Sequence, residues 1–357
     1  MKKAIILAEG KFKSTDGKTA HGLVRYSKRY KIVGVVDSEL SGKDSGEFLD
    51  GKPNGIKIYS SIKDALAEHN SDTLIIGIAT EGGVLPNFYR DPIKEAIKAG
   101  LNIVSGLHEF LSDDPEFRKL ARENDVEIID VRKIFYKRRI FFTGRIDKVG
   151  SIKLAVLGTD ACIGKRTTTI LLTEAFNDMG LKSVFIGTGQ TAWMQGAKYC
   201  TVLDSVINDF VAGDIEHEIW RAYQREKPDI MIIEGQGSLV HPAFPGSFEI
   251  VAAGRPDAII LQHAPKRKCL DGFPQYPMPD LERVIRIIEL ISLKKIVAIT
   301  LNHESMSMSE IEEAVRNYEE NYGVAVCDPL IHGVNKVANR IMELFPRLKK
   351  RFESHES

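Results

Sequence analysis

Hydrophobic residues in the first 130 positions form short continuous runs, separated by stretches in which apolar residues recur with helical spacing. We predict strands at residues 3–8, 32–37, 73–79, 101–104 and 126–129. The stretch that starts at Pro92 places Ile93 and Ile97 on one helical face. Continuous apolar strands that alternate with helices are typical of a parallel sheet covered on both faces. This pattern predicts a Rossmann-like domain over residues 1–135.

A second alternating pattern begins at Ile152 and predicts another α/β domain with a mostly parallel sheet over residues 151–350. Its predicted strands are 152–157, 183–186, 230–233, 258–261 and 296–300. We assign residues 136–150 as a basic linker between the two domains, and we expect the tail at 353–357 to fray.

The end of the first domain and the linker share a run of basic residues without an acid. These residues are Arg132, Lys133, Lys137, Arg138, Arg139 and Arg145. The run fits a solvated linker, or a basic lip that faces a phosphate-bearing ligand, because guanidinium groups pair with phosphate in bidentate fashion.

The composition is typical of a globular protein and argues against a nucleic-acid binder. The chain has 357 residues, 43% hydrophobic and 27% charged, which is ordinary for a globular protein of two or three domains. Lysine plus arginine equals aspartate plus glutamate at 49 each, which argues against a nucleic-acid binder. We expect no membrane-spanning segment, and we expect the substrate to be a small molecule. The sequence leaves open whether the chain forms a homo-oligomer. The four widely spaced cysteines predict a reduced, cytoplasmic protein.

The strand at 152–157 runs into a glycine-bounded loop that ends in Gly-Lys, with a threonine-rich helix start behind it. In such a loop, backbone N–H groups, the helix N-terminus and the lysine together hold phosphate oxygens. We therefore predict a phosphate-binding loop, with a structural turn as the alternative. The predicted ligand-binding residues are Gly158, Thr159, Asp160, Gly164, Lys165, Arg166, Thr167 and Thr168.

The loop departs from the GxxxxGK[ST] pattern. Its first glycine lies one place early, and Arg166 stands where a Ser or Thr would bind Mg²⁺. Either Thr167 takes that role or the metal is absent. The spacing resembles that of dethiobiotin synthetase, in which the aspartate of the loop, here Asp160, often lies near the substrate or metal.

Two later segments agree with this likeness. Glu234 ends a buried strand and is followed by Gly235-Gln236-Gly237, similar to the Glu-Gly-x-Gly-Gly of dethiobiotin synthetase. A carboxylate there can reach Mg²⁺, which makes Thr167 and Glu234 the candidate metal ligands; a capping acid in a tight turn is the alternative. Asn302, just past a late strand, resembles the adenine-reading position of the same branch.

Motifs along nearly the whole chain resemble one family, first defined as a domain of unknown function, from which a D-glutamate N-acetyltransferase was described. They are Gly17–Tyr26, Gly158–Lys165, Gly187–Ala192, Asp209–Gly213 and Glu234–Pro242. The resemblance implies a Rossmann-like domain followed by a P-loop domain. It also implies acetyl transfer from acetyl-CoA to the amine of D-glutamate. Because acetyl-CoA contains an ADP moiety, a phosphate loop can bind it without hydrolysis.

Acetyl transfer to an amine needs a base and donors to an oxyanion. The candidate bases are Asp209, Glu234 and His241, although Asp209 also fits a solvated helix acid and His241 a packed loop histidine. An ATP- and Mg²⁺-dependent ligase and a nucleotide-binding protein without turnover are the alternatives. NAD binding is disfavoured because the first domain has no GxGxxG motif.

Overall fold

The computed structural model describes residues 1–349 and 351, which form two compact units. The first unit comprises Met1–Arg138 and Gln190–Ala197, and the second comprises the other described residues. Position 350, the last of the predicted second domain, and the tail at 353–357 lie outside the described residues. Within the part of the chain that is described, no helix is long and apolar enough to cross a membrane.

The first unit is an α/β domain whose sheet has the strand order β3-β2-β1-β4-β5-β6, with parallel pairing throughout. Its elements are β1 (Lys2–Leu7), α1 (Lys18–Arg25), β2 (Tyr30–Val36), α2 (Ser45–Asp50), β3 (Ile58–Tyr59), α3 (Ile62–Glu68), β4 (Thr73–Ile76), α4 (Arg90–Lys98), β5 (Asn102–Ser105), α5 (Pro115–Glu123), β6 (Ile128–Asp130) and α6 (Val131–Tyr136). This order confirms the Rossmann-like prediction. The two-residue edge strand β3 was not predicted.

Three helices of the first unit, α2, α3 and α5, begin at a residue whose side chain caps them. The Asp114 side chain accepts hydrogen bonds from the first backbone amides of α5, and Pro115 follows at the first helical position. Asp44 and Ser61 cap α2 and α3 in the same way. The inward faces of these helices pack on the apolar strands, which buries Ile5, Leu74 and Ile103 completely.

The second unit is a parallel sheet with the strand order β15-β14-β11-β7-β10-β8-β9, plus a separate antiparallel hairpin. Its elements are β7 (Ile152–Gly158), α7 (Lys165–Asp178), β8 (Ser183–Gly187), β9 (Tyr199–Cys200), α9 (Asn208–Glu226), β10 (Ile230–Glu234), α10 (Ser247–Gly254), β11 (Ala258–His263), β12 (Cys269–Leu270), β13 (Phe273–Pro277), α11 (Leu281–Ser292), β14 (Ile296–Leu301), α12 (Met308–Tyr322), β15 (Ala325–Cys327) and α13 (Asn335–Leu344). The five predicted strands are present, and the short strands β9, β12, β13 and β15 were missed.

One helix of the second half of the chain belongs to the first unit. This helix, α8 (Gln190–Gln195), packs on α1 and α6. Gln195 donates from Nε2 to the carbonyl oxygen of Gly22 at 2.7 Å, and Arg132 donates to Gln190 at 3.2 Å. The compact units therefore differ from the predicted domains, which placed this segment in the second one.

The basic run at 132–145 is not a free linker. Arg132 is 7% exposed in α6, and Lys133 forms an ion pair with Asp113. Arg138 stacks on Phe135 within the first unit. The run is thus partly helical and is divided between the two units at residue 138.

Candidate functional site: a phosphate loop at the edge of the second sheet

The loop between β7 and α7 is shaped by glycines that make room for one lysine. Gly164 has a φ of 101°, which favours glycine, and α7 begins at the next residue, Lys165. A Cβ atom at Gly158 would lie 2.9 Å from the Lys165 Cδ atom, and one at Gly235 would lie 3.0 Å from it. Gly158 at the end of β7 and Gly235 just after β10 therefore leave space for the lysine stem.

Lys165 is 6% exposed, and its Nζ atom donates to the carbonyl oxygen of Asp160 at 2.5 Å. Burial lowers the pKa of Lys165 to about 8, although neighbouring acids such as Asp160 and Glu234 oppose the shift. The lysine thus keeps its charge at neutral pH, at the N-terminus of α7. This is the arrangement that phosphate oxygens require.

The acid at the end of β10 is paired with the arginine that follows the lysine. Glu234 Oε1 lies 3.5 Å from Arg166 Nη1, and Glu234 Oε2 accepts a hydrogen bond from the Thr188 amide at 3.0 Å. Burial raises the pKa of Glu234, and the charge of Arg166 opposes that rise. Both carboxylate oxygens therefore have partners within the protein.

This pairing bears on the predicted metal ligands Thr167 and Glu234. The Arg166 guanidinium, a cation, already stands against Glu234. The residues present do not fit a magnesium site of the usual P-loop kind. The metal assignment finds no support in this geometry.

Asp160 is fully buried and holds the first half of the loop in place. Its Oδ2 atom accepts from Arg267 Nη1 at 2.8 Å and from the Asp271 amide at 2.9 Å, while Oδ1 accepts from the Ala161 amide at 2.7 Å. Arg267 also donates to the Ala161 carbonyl oxygen. The predicted ligand-binding role of Asp160 stays a prediction, since its carboxylate is engaged by the loop and the β12–β13 hairpin.

A second set of polar contacts fixes the other half of the loop. Gln262, at the end of β11, accepts from Thr168 Oγ1 at 2.5 Å and from Thr300 Oγ1 at 2.7 Å. Thr159 Oγ1 lies 3.0 Å from His263 Nδ1. These contacts make Thr159 and Thr168 part of the support of the loop.

Asn302, the predicted adenine-reading residue, lies beside the phosphate loop. Its Nδ2 atom donates to the Ile163 carbonyl oxygen at 3.1 Å, and its Oδ1 atom accepts from the Glu304 amide at 2.9 Å. Asn302 therefore holds the loop to the end of β14, and adenine contact stays a prediction.

The three predicted bases occupy different environments. His241 is 2% exposed; its Nδ1 atom accepts from the amides of Ala243 and Phe244, and Nε2 lies 3.1 Å from the Asp271 carbonyl oxygen. Asp209 is exposed in the first turn of α9. Glu234 is buried in its ion pair. The structure brings Glu234 close to Lys165 and Arg166, and it places His241 Nε2 3.6 Å from the buried Oδ1 atom of Asp160 in the loop.

Several residues of the site were missed in the sequence. Arg267 stands in a Lys-Arg-Lys run after β11, which is a basic signal without a periodic pattern. Thr188 and Gln236 follow strands β8 and β10, and Gln236 Nε2 donates to Thr188 Oγ1 at 3.0 Å. Their position directly after a parallel strand is the signal that could have identified them as site residues.

The chain matches two models of domains of unknown function. Residues 38–134 match the DUF1611_N Rossmann-like domain, and residues 140–338 match the DUF1611_C P-loop domain. A crystal structure of a DUF1611 family protein from Anabaena variabilis ATCC 29413 superposes with a TM-score of 0.88 at 30% identity, covering 96% of this chain and 100% of that one.

Two curated relatives are named D-glutamate N-acetyltransferase. The protein from Pseudoalteromonas sp is 32% identical over 277 residues, which is 76% of this chain and 81% of the relative. The protein from Tritonibacter scottomollicae is 31% identical over 275 residues, or 75% and 80% of the two chains. The matches extend over both α/β domains, in the predicted order, and the chain therefore belongs to the DUF1611 family.

Proposed function

We propose that the protein is an acetyl-CoA-dependent N-acetyltransferase that acts on D-glutamate or a similar acidic amino acid. The observation that carries this proposal is the ion pair between Arg166 and Glu234 beside Lys165. ATP-dependent P-loop enzymes hold Mg²⁺ with a hydroxyl directly after the lysine and with a strand-end acid. Here a guanidinium group stands against that acid, which suits a ligand whose phosphates are bound but not transferred.

Acetyl-CoA is such a ligand. Its pyrophosphate would lie at the N-terminus of α7, where Lys165 and the backbone amides after Gly164 supply positive charge. The acetyl group moves and the phosphates stay intact, so no metal is needed to polarise them. The relatives named D-glutamate N-acetyltransferase support the choice of acceptor. None of the four cysteines, which all lie in the described part of the chain, forms a disulfide bond.

A ligase that uses ATP and Mg²⁺ is the second candidate. The observation in its favour is Glu234 itself, an acid at the carboxyl end of a parallel strand next to the phosphate loop. It would require Arg166 to leave Glu234 when Mg·ATP binds. Ligation releases phosphate and depends on the metal, whereas acetyl transfer releases a thiol and does not.

The test is the release of free CoA thiol from acetyl-CoA with a panel of D- and L-amino acids, in the presence of EDTA. We expect thiol release with D-glutamate, and a mass increase of one acetyl group on the amino acid. Absence of thiol release with every amine, together with Mg²⁺-dependent phosphate release from ATP and a carboxylic acid, would transfer the assignment to the ligase.

A further inference from the structure

The phosphates and the thioester of acetyl-CoA lie far apart, so the group that activates the acceptor amine must stand at a distance from Lys165. The pantetheine arm between them is about as long as four extended residues, or roughly 13 Å. Glu234 and Asp160 are beside the phosphate loop itself. A base for the amine is therefore to be sought further along the carboxyl edge of the second sheet.

Along that edge, β10, β8 and β9 follow β7 in order. Adjacent strands are about 4.8 Å apart, so the ends of β8 and β9 lie about 10–14 Å from the end of β7. Helices α9 and α10 both begin at this edge, because α9 follows β9 and α10 follows β10. The first turn of α9 follows β9, the third strand from β7, and it contacts the first turn of α10 through Asn208 and Glu249.

A continuous series of contacts leads from the phosphate site to α10. Thr188 contacts Glu234 and accepts a hydrogen bond from Gln236. The Ser247 hydroxyl, at the start of α10, donates to the Gln236 carbonyl oxygen at 2.7 Å. A Cβ atom at Gly246 would lie 3.4 Å from Gln236 Cβ and 3.8 Å from Glu249 Oε2.

Glu249, in the first turn of α10, is the acid at the end of this series. Its Oε1 atom accepts from Asn208 Nδ2 at 3.2 Å, which fixes the carboxylate between α9 and α10. We propose that Glu249 is the general base that removes a proton from the acceptor amine. This inference rests on the proposed function.

The step balances in atoms and protons. The Glu249 carboxylate takes one proton from the ammonium group, and the free amine nitrogen attacks the thioester carbonyl carbon. The C–N bond forms, the C–S bond breaks, and the leaving CoA sulfur takes a second proton from the nitrogen. Glu249 then returns its proton to water.

The three bases predicted from the sequence suit this role less well. Glu234 is committed to Arg166, and His241 has contacts at both ring nitrogens. Asp209 is exposed to water at the start of α9. Glu249 is half-buried, and burial raises its pKa, which brings a carboxylate closer to the basicity that proton transfer at neutral pH needs.

The test compares Glu249→Gln with Asp209→Asn in the full-length protein. Glutamine keeps the size of the side chain and the oxygen that accepts from Asn208, so we expect an unchanged melting temperature and CoA affinity. Turnover with D-glutamate should fall about 10²–10⁴-fold in Glu249→Gln and much less in Asp209→Asn.

The outcomes separate the two proposals. If the unmodified protein acetylates D-glutamate and Glu249→Gln turns over within about threefold of it, the base assignment is wrong and the proposed function stands. A large loss in Asp209→Asn alone moves the role to Asp209. If the unmodified protein releases no thiol with any amine, the proposed function itself is wrong, and the role of Glu249 falls with it.

Discussion

The two parallel sheets differ in what their sequences place at the carboxyl edge, where open α/β sheets bind ligands. In the first unit, Asp37 at the end of β2 accepts hydrogen bonds from the amides of Phe12 and Glu39, at 3.0 and 3.1 Å. Glu9 accepts from the Ser38 amide. The acids of this edge are therefore used to fasten the loop after β1 to the end of β2.

In the second unit, the acids of the edge are matched by cations. Asp160 pairs with Arg267 and Glu234 with Arg166, while Lys165 donates to a loop carbonyl oxygen that a phosphate can replace. Sheet topology therefore gives both units a place for a ligand. In the second unit a buried lysine, Lys165, stands at that place, whereas Lys11 and Lys13 in the first unit pair with surface acids.

The largest difference between the two units should come from removing a buried acid, because the loss of unfolding free energy should be greater in the second unit than in the first. Asp160→Ala takes the buried partner from the Arg267 guanidinium, which keeps its ion pair with Glu304, and takes the acceptor from the amides of Ala161 and Asp271. We expect a loss of about 3–5 kcal/mol in the free energy of unfolding. Asp37→Ala removes only hydrogen bonds from neutral amides, and we expect about 1–3 kcal/mol. Urea denaturation followed separately for each unit measures both. Equal losses for the two variants would contradict the distinction.

The second largest difference should be in CoA affinity, when one lysine is removed from each unit. Lys165→Ala should weaken CoA binding about ten- to a hundred-fold, because a charge-assisted contact worth roughly 1.5–3 kcal/mol is lost. Lys11→Ala is the matched control in the first unit, where Lys11 forms an ion pair with Asp16, and it should leave CoA affinity unchanged. Isothermal titration calorimetry checks both variants. An unchanged affinity in Lys165→Ala would contradict the assignment of this loop as the phosphate-binding site.

The pH dependence of CoA affinity tests whether the charge of Lys165 contributes to binding. Because burial lowers the pKa of Lys165 to about 8, the free protein loses the charge of this lysine as the pH rises from 7 to 9. CoA affinity should therefore fall over that interval in the unmodified protein. The Lys165→Ala variant should show a smaller change.

The features of the fold that were predictable from the sequence are those with a local pattern. The continuous apolar run of β7, the Gly-Lys pair and the helix behind it follow one another within about twenty residues, and the structure has them in that order. Short edge strands such as β3 carry too few residues for a periodic signal, which explains why they were missed.

The features that were not predictable depend on contacts between distant residues. Arg267 reaches Asp160 across 107 positions, and Gln195 reaches Gly22 across 173. The same limit applies to Asn208 and Glu249, which are brought together only when α9 and α10 pack side by side. No periodic pattern within a single strand or helix predicts such a contact between two elements.

The affinity of the unmodified protein for acetyl-CoA with Mg²⁺ and with EDTA, measured by isothermal titration calorimetry, tests directly whether the site binds its ligand without a metal. If Arg166 takes the place of the metal beside Glu234, the two dissociation constants should agree within about twofold, a difference of less than about 0.5 kcal/mol. Binding of acetyl-CoA that is lost in EDTA, or tight binding of ATP that appears only with Mg²⁺, would contradict the claim.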